Sequence, residues 1–191
     1  MRPTPDRILE AAERSMTRYG VSVSMGDVAS AAGVSRGSLY RHFGDREQLL
    51  RAVLARVADR FVASAAARID RRRTLSAQFA EAVAYVTTTA RRLQRDLGPG
   101  TRRARRSPLA IVVLEQPDWT AERWMAFWEA RLEPACARGE LRADIDRRET
   151  AEWLSRALVS FAVAPELEID PADHRAVRRF VDRSLLRGLA G

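Results

Sequence analysis

Apolar side chains recur every three to four residues along most of the chain, which is the period of an amphipathic helix. Ile8, Ala12, Met16 and Tyr19 share one face, and Gly20 is a suitable stop. Thr4 supplies a capping hydroxyl ahead of that segment, with Pro5 at the first helical position. The stretch "SMGDVASAAG" predicts a shorter second helix. Ser24 is its N-cap, Asp27 sits in its first turn, and Val28, Ala29 and Ala32 point inward. A third helix is expected from Arg36 to about His42, capped by Ser35, with Leu39 and Phe43 on its inner side. A fourth opens at Asp45, where Gln48 completes a capping-box spacing, and carries Leu49, Leu50, Val53, Leu54, Val57 and Phe61.

Beyond residue 74 the helical period continues through "LSAQFAEAVAYVTTTARRLQRDL". The breaker "GPG" (98–100) and the basic run "RRARR" (102–106) follow. "PLAIVVLEQ" has strand propensity of its own, but its helical surroundings favour helix. Pro117 opens a Trp-rich helix, and two more are expected from about Arg147 to Ala164 and from Pro171 to Leu189. No period-two alternation argues for a sheet. The fold class is therefore all-α, with about nine helices. No apolar run reaches eighteen residues, so no membrane span is indicated. The N-terminus lacks a signal-peptide core, and the single cysteine, Cys136, allows no internal disulfide. Both features fit a cytoplasmic protein.

Charge changes this picture in one respect. All 33 basic residues are arginine and the net charge is +8. Residues 1–50 hold seven arginines against six acids, whereas residues 68–106 hold eleven against three. The basic excess thus lies outside the opening helices. It reads as solvated loop charge, as a site for an anionic ligand, or as a field that keeps the protein near DNA.

The sharpest signal is "AAGVSRGSLYRHF", residues 31–43. Gly33 can take positive φ and end one helix tightly, while Val34 tucks inward and Ser35 starts the next. Two helices joined by such a turn make a helix-turn-helix, whose second helix enters the DNA major groove. Arg36, Gly37, Ser38, Tyr40, Arg41 and His42 then form its exposed face. Arginine and serine suit base edges, tyrosine and histidine suit phosphates, and Gly37 removes bulk. The run from Ile8 to Leu50 resembles the N-terminal domain of the TetR family of transcriptional regulators. The resemblance rests on Val28-Ala29, Ala32-Gly33-Val34-Ser35, Leu39-Tyr40, His42-Phe43 and Arg46-Glu47. It implies that Arg46 contacts phosphate at the start of helix 4. Gly26 departs from the longer polar side chain common at its place. The candidate DNA contacts are Ser24, Ser35, Arg36, Gly37, Ser38, Tyr40, Arg41, His42 and Arg46.

The resemblance implies a head at 1–46 and a helical ligand and dimer domain at 47–191. It also implies a homodimer formed by the last two helices. Their apolar residues are Leu154, Leu158 and Phe161 on one, and Val177, Phe180, Val181 and Leu185 on the other. The aromatics Phe79, Tyr85, Trp124 and Trp128 are candidate walls of a pocket for a lipophilic or aromatic effector; core packing is the competing reading. His42, His174 and Cys136 form no zinc pattern, and no phosphate loop or catalytic triad spacing occurs. No cofactor is expected. The expected partners are a double-stranded DNA operator, a small-molecule effector and a second copy of the chain. The function expected is ligand-responsive regulation, most simply repression. The alternative is a small-molecule binding module or enzyme that carries a helical head by coincidence.

Overall fold

The computed structural model describes residues 5–97, 107–115, 118–163, 168–171 and 173–185, with backbone alone at 21, 114–115, 118–119, 162–163 and 184–185. These residues are all-α, as expected, and form nine helices. They are α1 (Pro5–Tyr19), α2 (Met25–Ala32), α3 (Arg36–Phe43), α4 (Arg46–Ile69), α5 (Leu75–Leu97), α6 (Pro108–Ala110), α7 (Asp118–Ala137), α8 (Arg147–Val163) and α9 (His174–Phe180). A π-helical turn continues α6 through Ile111–Glu115, and another continues α9 through Val181–Leu185. Thr4, the 98–100 breaker, the 102–106 basic run and Pro117 lie outside the described residues, as do the side chains of Trp119 and Leu185.

The chain divides into two compact units. The first comprises Met1–Asp59 and Leu93–Trp119. Its core joins Ile8, Ala12 and Met16 of α1, Val28 and Ala29 of α2, Leu39 of α3, Leu49, Val53 and Val57 of α4, and Ile111 and Val112 after α6. Burying each large aliphatic side chain contributes about 1.5–3 kcal/mol, so the apolar period directly drives this assembly. Arg56 of α4 also reaches α1, bonding the Asp6 carbonyl at 3.1 Å and the Glu10 carboxylate at 3.1 Å. This packing carries the first unit beyond the 46/47 boundary read from the sequence, because the first half of α4 supplies core side chains. Tyr19, assigned from the period to the inner face of α1, is instead 54% exposed.

The second unit comprises Arg60–Arg92 and Thr120–Gly191. Its interior is aromatic. Phe79 of α5 lies 5.5 Å from Trp128 of α7 by ring centroid, and Phe127 lies 4.9 Å from Trp128 edge-on. Leu132, Leu141, Leu154, Leu158, Val177 and Val181 are buried in the same unit. Helix α9 starts three residues later than the sequence suggested. The Asp173 carboxylate caps it by accepting from the N–H groups of Arg175 (2.9 Å) and Ala176 (3.1 Å), and this outweighs Pro171 as a start signal.

Candidate nucleic-acid interface

The α2–α3 connection is built from four local devices. Ser24 Oγ accepts from the Asp27 N–H at 3.1 Å, and the Ser24 N–H donates to Asp27 Oδ2 at 3.2 Å. That reciprocal capping box fixes the start of α2. At its end Gly33 adopts φ 65°, ψ 39°, a left-handed conformation that other residues rarely take. Its N–H and that of Val34 both return to the Ala29 carbonyl, the latter at 3.0 Å. Ser35 Oγ then accepts from the Ser38 N–H at 3.1 Å and starts α3. Leu39 is fully buried, and Val34 and Phe43 pack partly against the core.

With one side anchored, α3 turns the other outward. Arg36, Gly37, Arg41 and His42 are exposed, Tyr40 is 48% exposed, and Ser38 is half-buried. A Cβ at Gly37 would meet nothing within 4 Å, so this position offers a bare backbone surface. Ser24 and Ser35 use their hydroxyls in the caps and stay exposed. Arg46 begins α4 and donates from Nε to the Val23 carbonyl at 2.8 Å, which ties α4 to the link before α2. The structure thus brings all nine candidate residues into the first unit around α2, α3 and the start of α4.

Other features of this unit escaped sequence reasoning. Arg14, Arg18 and Tyr19 of α1 face Asp27 and Ser30 of α2 across an open recess of about 440 Å³. The Arg36 guanidinium lies against Gly26, a contact that no short-range spacing could have signalled. The side chain of Asp27 ionises below its ordinary value. Its hydrogen bond from Ser24 Oγ is the main cause, the Ser24 N–H adds to it, and the nearby charge of Arg36 contributes.

The candidate effector and dimer residues fare differently. Phe79, Trp124 and Trp128 are buried and in ring contact with one another or with Phe127, so they form packed core. Tyr85 lines an open groove, about 320 Å³, with Arg68, Glu81, Thr88, Thr89, Arg92 and His174. The Arg68 guanidinium sits 5.2 Å from the Tyr85 ring centre, and Glu81 is bonded by Arg72 at 2.7 Å. Leu154, Leu158, Val177 and Val181 are fully buried within the chain itself. They are internal core and have no surface to offer a second copy, which corrects their assignment to the dimer interface. Phe161 and Phe180 are half-buried and meet edge-on at 5.9 Å. Trp153, absent from the sequence-based set, is 38% exposed on α8.

Among the described residues, no group of three His, Cys, Asp or Glu side chains could hold a metal ion. Nor is any helix there long and apolar enough to cross a membrane.

Comparison with known proteins agrees with the geometry. Residues 8–53 match the family described as bacterial regulatory proteins, tetR family. An HTH-type transcriptional regulator of Mycobacterium tuberculosis is 52% identical over 52 residues, which are 27% of this chain and 26% of that relative. This likeness therefore spans about a quarter of the relative's length. Two solved structures share the fold over nearly the whole chain. One is the transcriptional regulator FadR from Bacillus subtilis in complex with stearoyl-CoA, at 17% identity and a TM-score of 0.55, covering 94% of this chain and 98% of that one. The other is the TetR family repressor AlkX from Dietzia, at 21% identity and a TM-score of 0.53, covering 95% of each chain. The capped α2–turn–α3 geometry thus lies within residues 8–53, the part of the chain that matches the tetR family of bacterial regulatory proteins.

Proposed function

We propose that the chain is a transcriptional repressor that binds a palindromic operator as a homodimer and is released by a small effector. The observation that carries the reading is the outward face of α3. Its anchor, Leu39, is buried, while Arg36, Tyr40, Arg41 and His42 of the same short helix are exposed and Ser38 is half-buried. Arg36 and Ser38 address base edges. Tyr40, His42 and Arg46 hold phosphates, with Ser24, Ser35, Gly37 and Arg41 completing the surface. One such helix reads too few base pairs for specificity, and two-fold symmetry supplies the second. The match of residues 8–53 to a family of regulatory proteins supports this reading over the enzyme one.

The second unit is proposed to hold the effector and the dimer interface. Its aromatic interior suits an apolar ligand, although Phe79, Trp124 and Trp128 must part to admit one. Trp128 Nε1 is buried without an acceptor among the described residues, and an effector oxygen would satisfy it. Arg68 and Arg92 in the Tyr85 groove suit an anionic group. An amphiphile with an apolar body and an acidic head fits both, and the FadR structure of the same fold is a complex with stearoyl-CoA. Release requires only that the effector bind more tightly to the state with lower operator affinity. Helix α4 lends residues 46–59 to the first unit and 60–69 to the second, and is the natural carrier of that coupling.

The DNA reading is tested with the duplex that the wild-type chain enriches from a random-sequence library. Arg36→Ala should lose about 1–3 kcal/mol of binding and relax one base preference. Arg46→Ala should weaken all sequences alike and flatten the salt slope by about one unit. If both variants retain the enriched duplex like the wild type, the assignment fails.

A further inference from the structure

Gly26 is the second residue of α2, and helix formation gives no reason for glycine there. Its neighbour supplies the reason. A Cβ on Gly26 would stand 2.6 Å from Arg36 Nη2, 3.2 Å from Cζ and 3.3 Å from Nε. Real Cβ atoms essentially never approach a neighbour within 3.0 Å, so the two cannot coexist as placed. All three nearest atoms belong to the guanidinium of Arg36, the first residue of α3. The end of this side chain therefore lies across the bare backbone of the first turn of α2. Asp27, the next residue, feels the arginine's charge. Yet Arg36 has no hydrogen bond or ion pair among the described residues. It is held by shape and field while its five N–H donors remain unspent.

We propose that Gly26 is a positioning residue for DNA recognition: its missing side chain forms a seat that fixes the direction of the Arg36 guanidinium. The proposal rests on the reading of Arg36 as a base-edge contact. An unseated arginine samples many rotamers and must give them up on binding, whereas a seated one approaches the groove already directed. The seat costs helix propensity, since glycine is a poorer helix residue than alanine. It also accounts for the small residue at a place where the resemblance leads one to expect a long polar one. The steric conflict falls on the far end of a flexible side chain. Filling the seat should therefore move Arg36 and leave the fold intact.

The test uses the full-length chain and a random-sequence duplex library, with selection and sequencing for wild type, Gly26→Ala, Arg36→Ala and the double variant. Gly26→Ala should melt at or above the wild-type temperature. It should nevertheless lose base preference at the position that Arg36→Ala flattens, and bind the wild-type-enriched duplex about tenfold more weakly. In the Arg36→Ala background, Gly26→Ala should change nothing further. A wild-type profile for Gly26→Ala overturns the seat, and so do independent, additive effects or loss of folding by Gly26→Ala. An unaltered profile for Arg36→Ala shows instead that the underlying reading of Arg36 is wrong, and the seat falls with it. If the wild type enriches no sequence, the DNA-binding reading itself fails.

Discussion

Asp27 shows how much one exposed side chain does in the head. Its Oδ2 accepts from Ser24 Oγ at 2.6 Å and from the Ser24 N–H at 3.2 Å, and its own N–H returns to Ser24 Oγ. These bonds favour the carboxylate, so its pKa falls below the ordinary 3.8. A carboxylate with a depressed folded pKa contributes stability above its unfolded value and loses it as pH falls through the folded one. The capping box thus supports α2 fully at neutral pH and fades in acid below about 3.8. Ser24→Ala removes the largest cause of the shift. In a carboxyl NMR titration the Asp27 pKa should move back up toward 3.8, and the stability gap between variant and wild type should narrow as the solution is acidified. An Asp27 titration that Ser24→Ala leaves in place would show that the depression comes from elsewhere. Because α2 also presents the seat for Arg36, its first turn serves recognition as well as stability.

At the scale of elements, what was legible is what short range determines. Caps act over three residues, and apolar period acts over four, so α1 to α5 could be placed from residues alone. The same period cannot say what covers an apolar face. Leu154 and Leu158 looked like interface and proved to be core, because the period is identical whether the cover is the same chain or a second copy. Trp124 and Trp128 pose the same ambiguity between a packed cluster and a pocket wall, and they pack. Gly26 and Arg36 are ten residues apart, and only the angle of the α2–α3 turn brings them together. Helix α5 carries a stripe that periodicity treats as plain solvent face. Glu81, Tyr85, Thr88, Thr89 and Arg92 line one groove with Arg68. Arg72 offsets Glu81 at one end, which leaves Arg68 and Arg92 as the anion-seeking groups. A charge-assisted hydrogen bond contributes about 1.5–3 kcal/mol. Palmitate should therefore quench tryptophan fluorescence at roughly tenfold lower concentration than hexadecanol, which has the same chain length and no charge. The double variant Arg68→Ala/Arg92→Ala should abolish the difference. Equal affinity for both probes, or for neither, would count against an acidic amphiphile as effector.

For the whole molecule, the question is which surface joins two copies. The dimer is proposed because a single α3 cannot specify an operator, and the surface must be one the lone chain leaves open. On α8, Leu154 and Leu158 are already covered, whereas Trp153 is 38% exposed, and Ala157, Ser160 and Phe161 follow it at helical spacing with partial or full exposure. Glu152 and Arg156 flank the tryptophan and pair with each other at 2.6 Å, as suits the rim of a contact. Half-buried Phe161 and Phe180 support one another edge-on, so charging them would disturb the monomer as well. Trp153 offers the cleaner test, since its exposure means that the fold does not depend on its burial. In a two-fold interface Trp153→Glu would bury two unpaired carboxylates at once, each at a cost of several kcal/mol. Dimer association should then weaken by two or more orders of magnitude in sedimentation equilibrium, while the circular dichroism spectrum stays helical. Operator binding should become steeply dependent on protein concentration, because each monomer now finds only a half-site. A Trp153→Glu chain that sediments as a wild-type dimer would remove this face of α8 from the interface and leave two-fold operator recognition without the contact proposed for it.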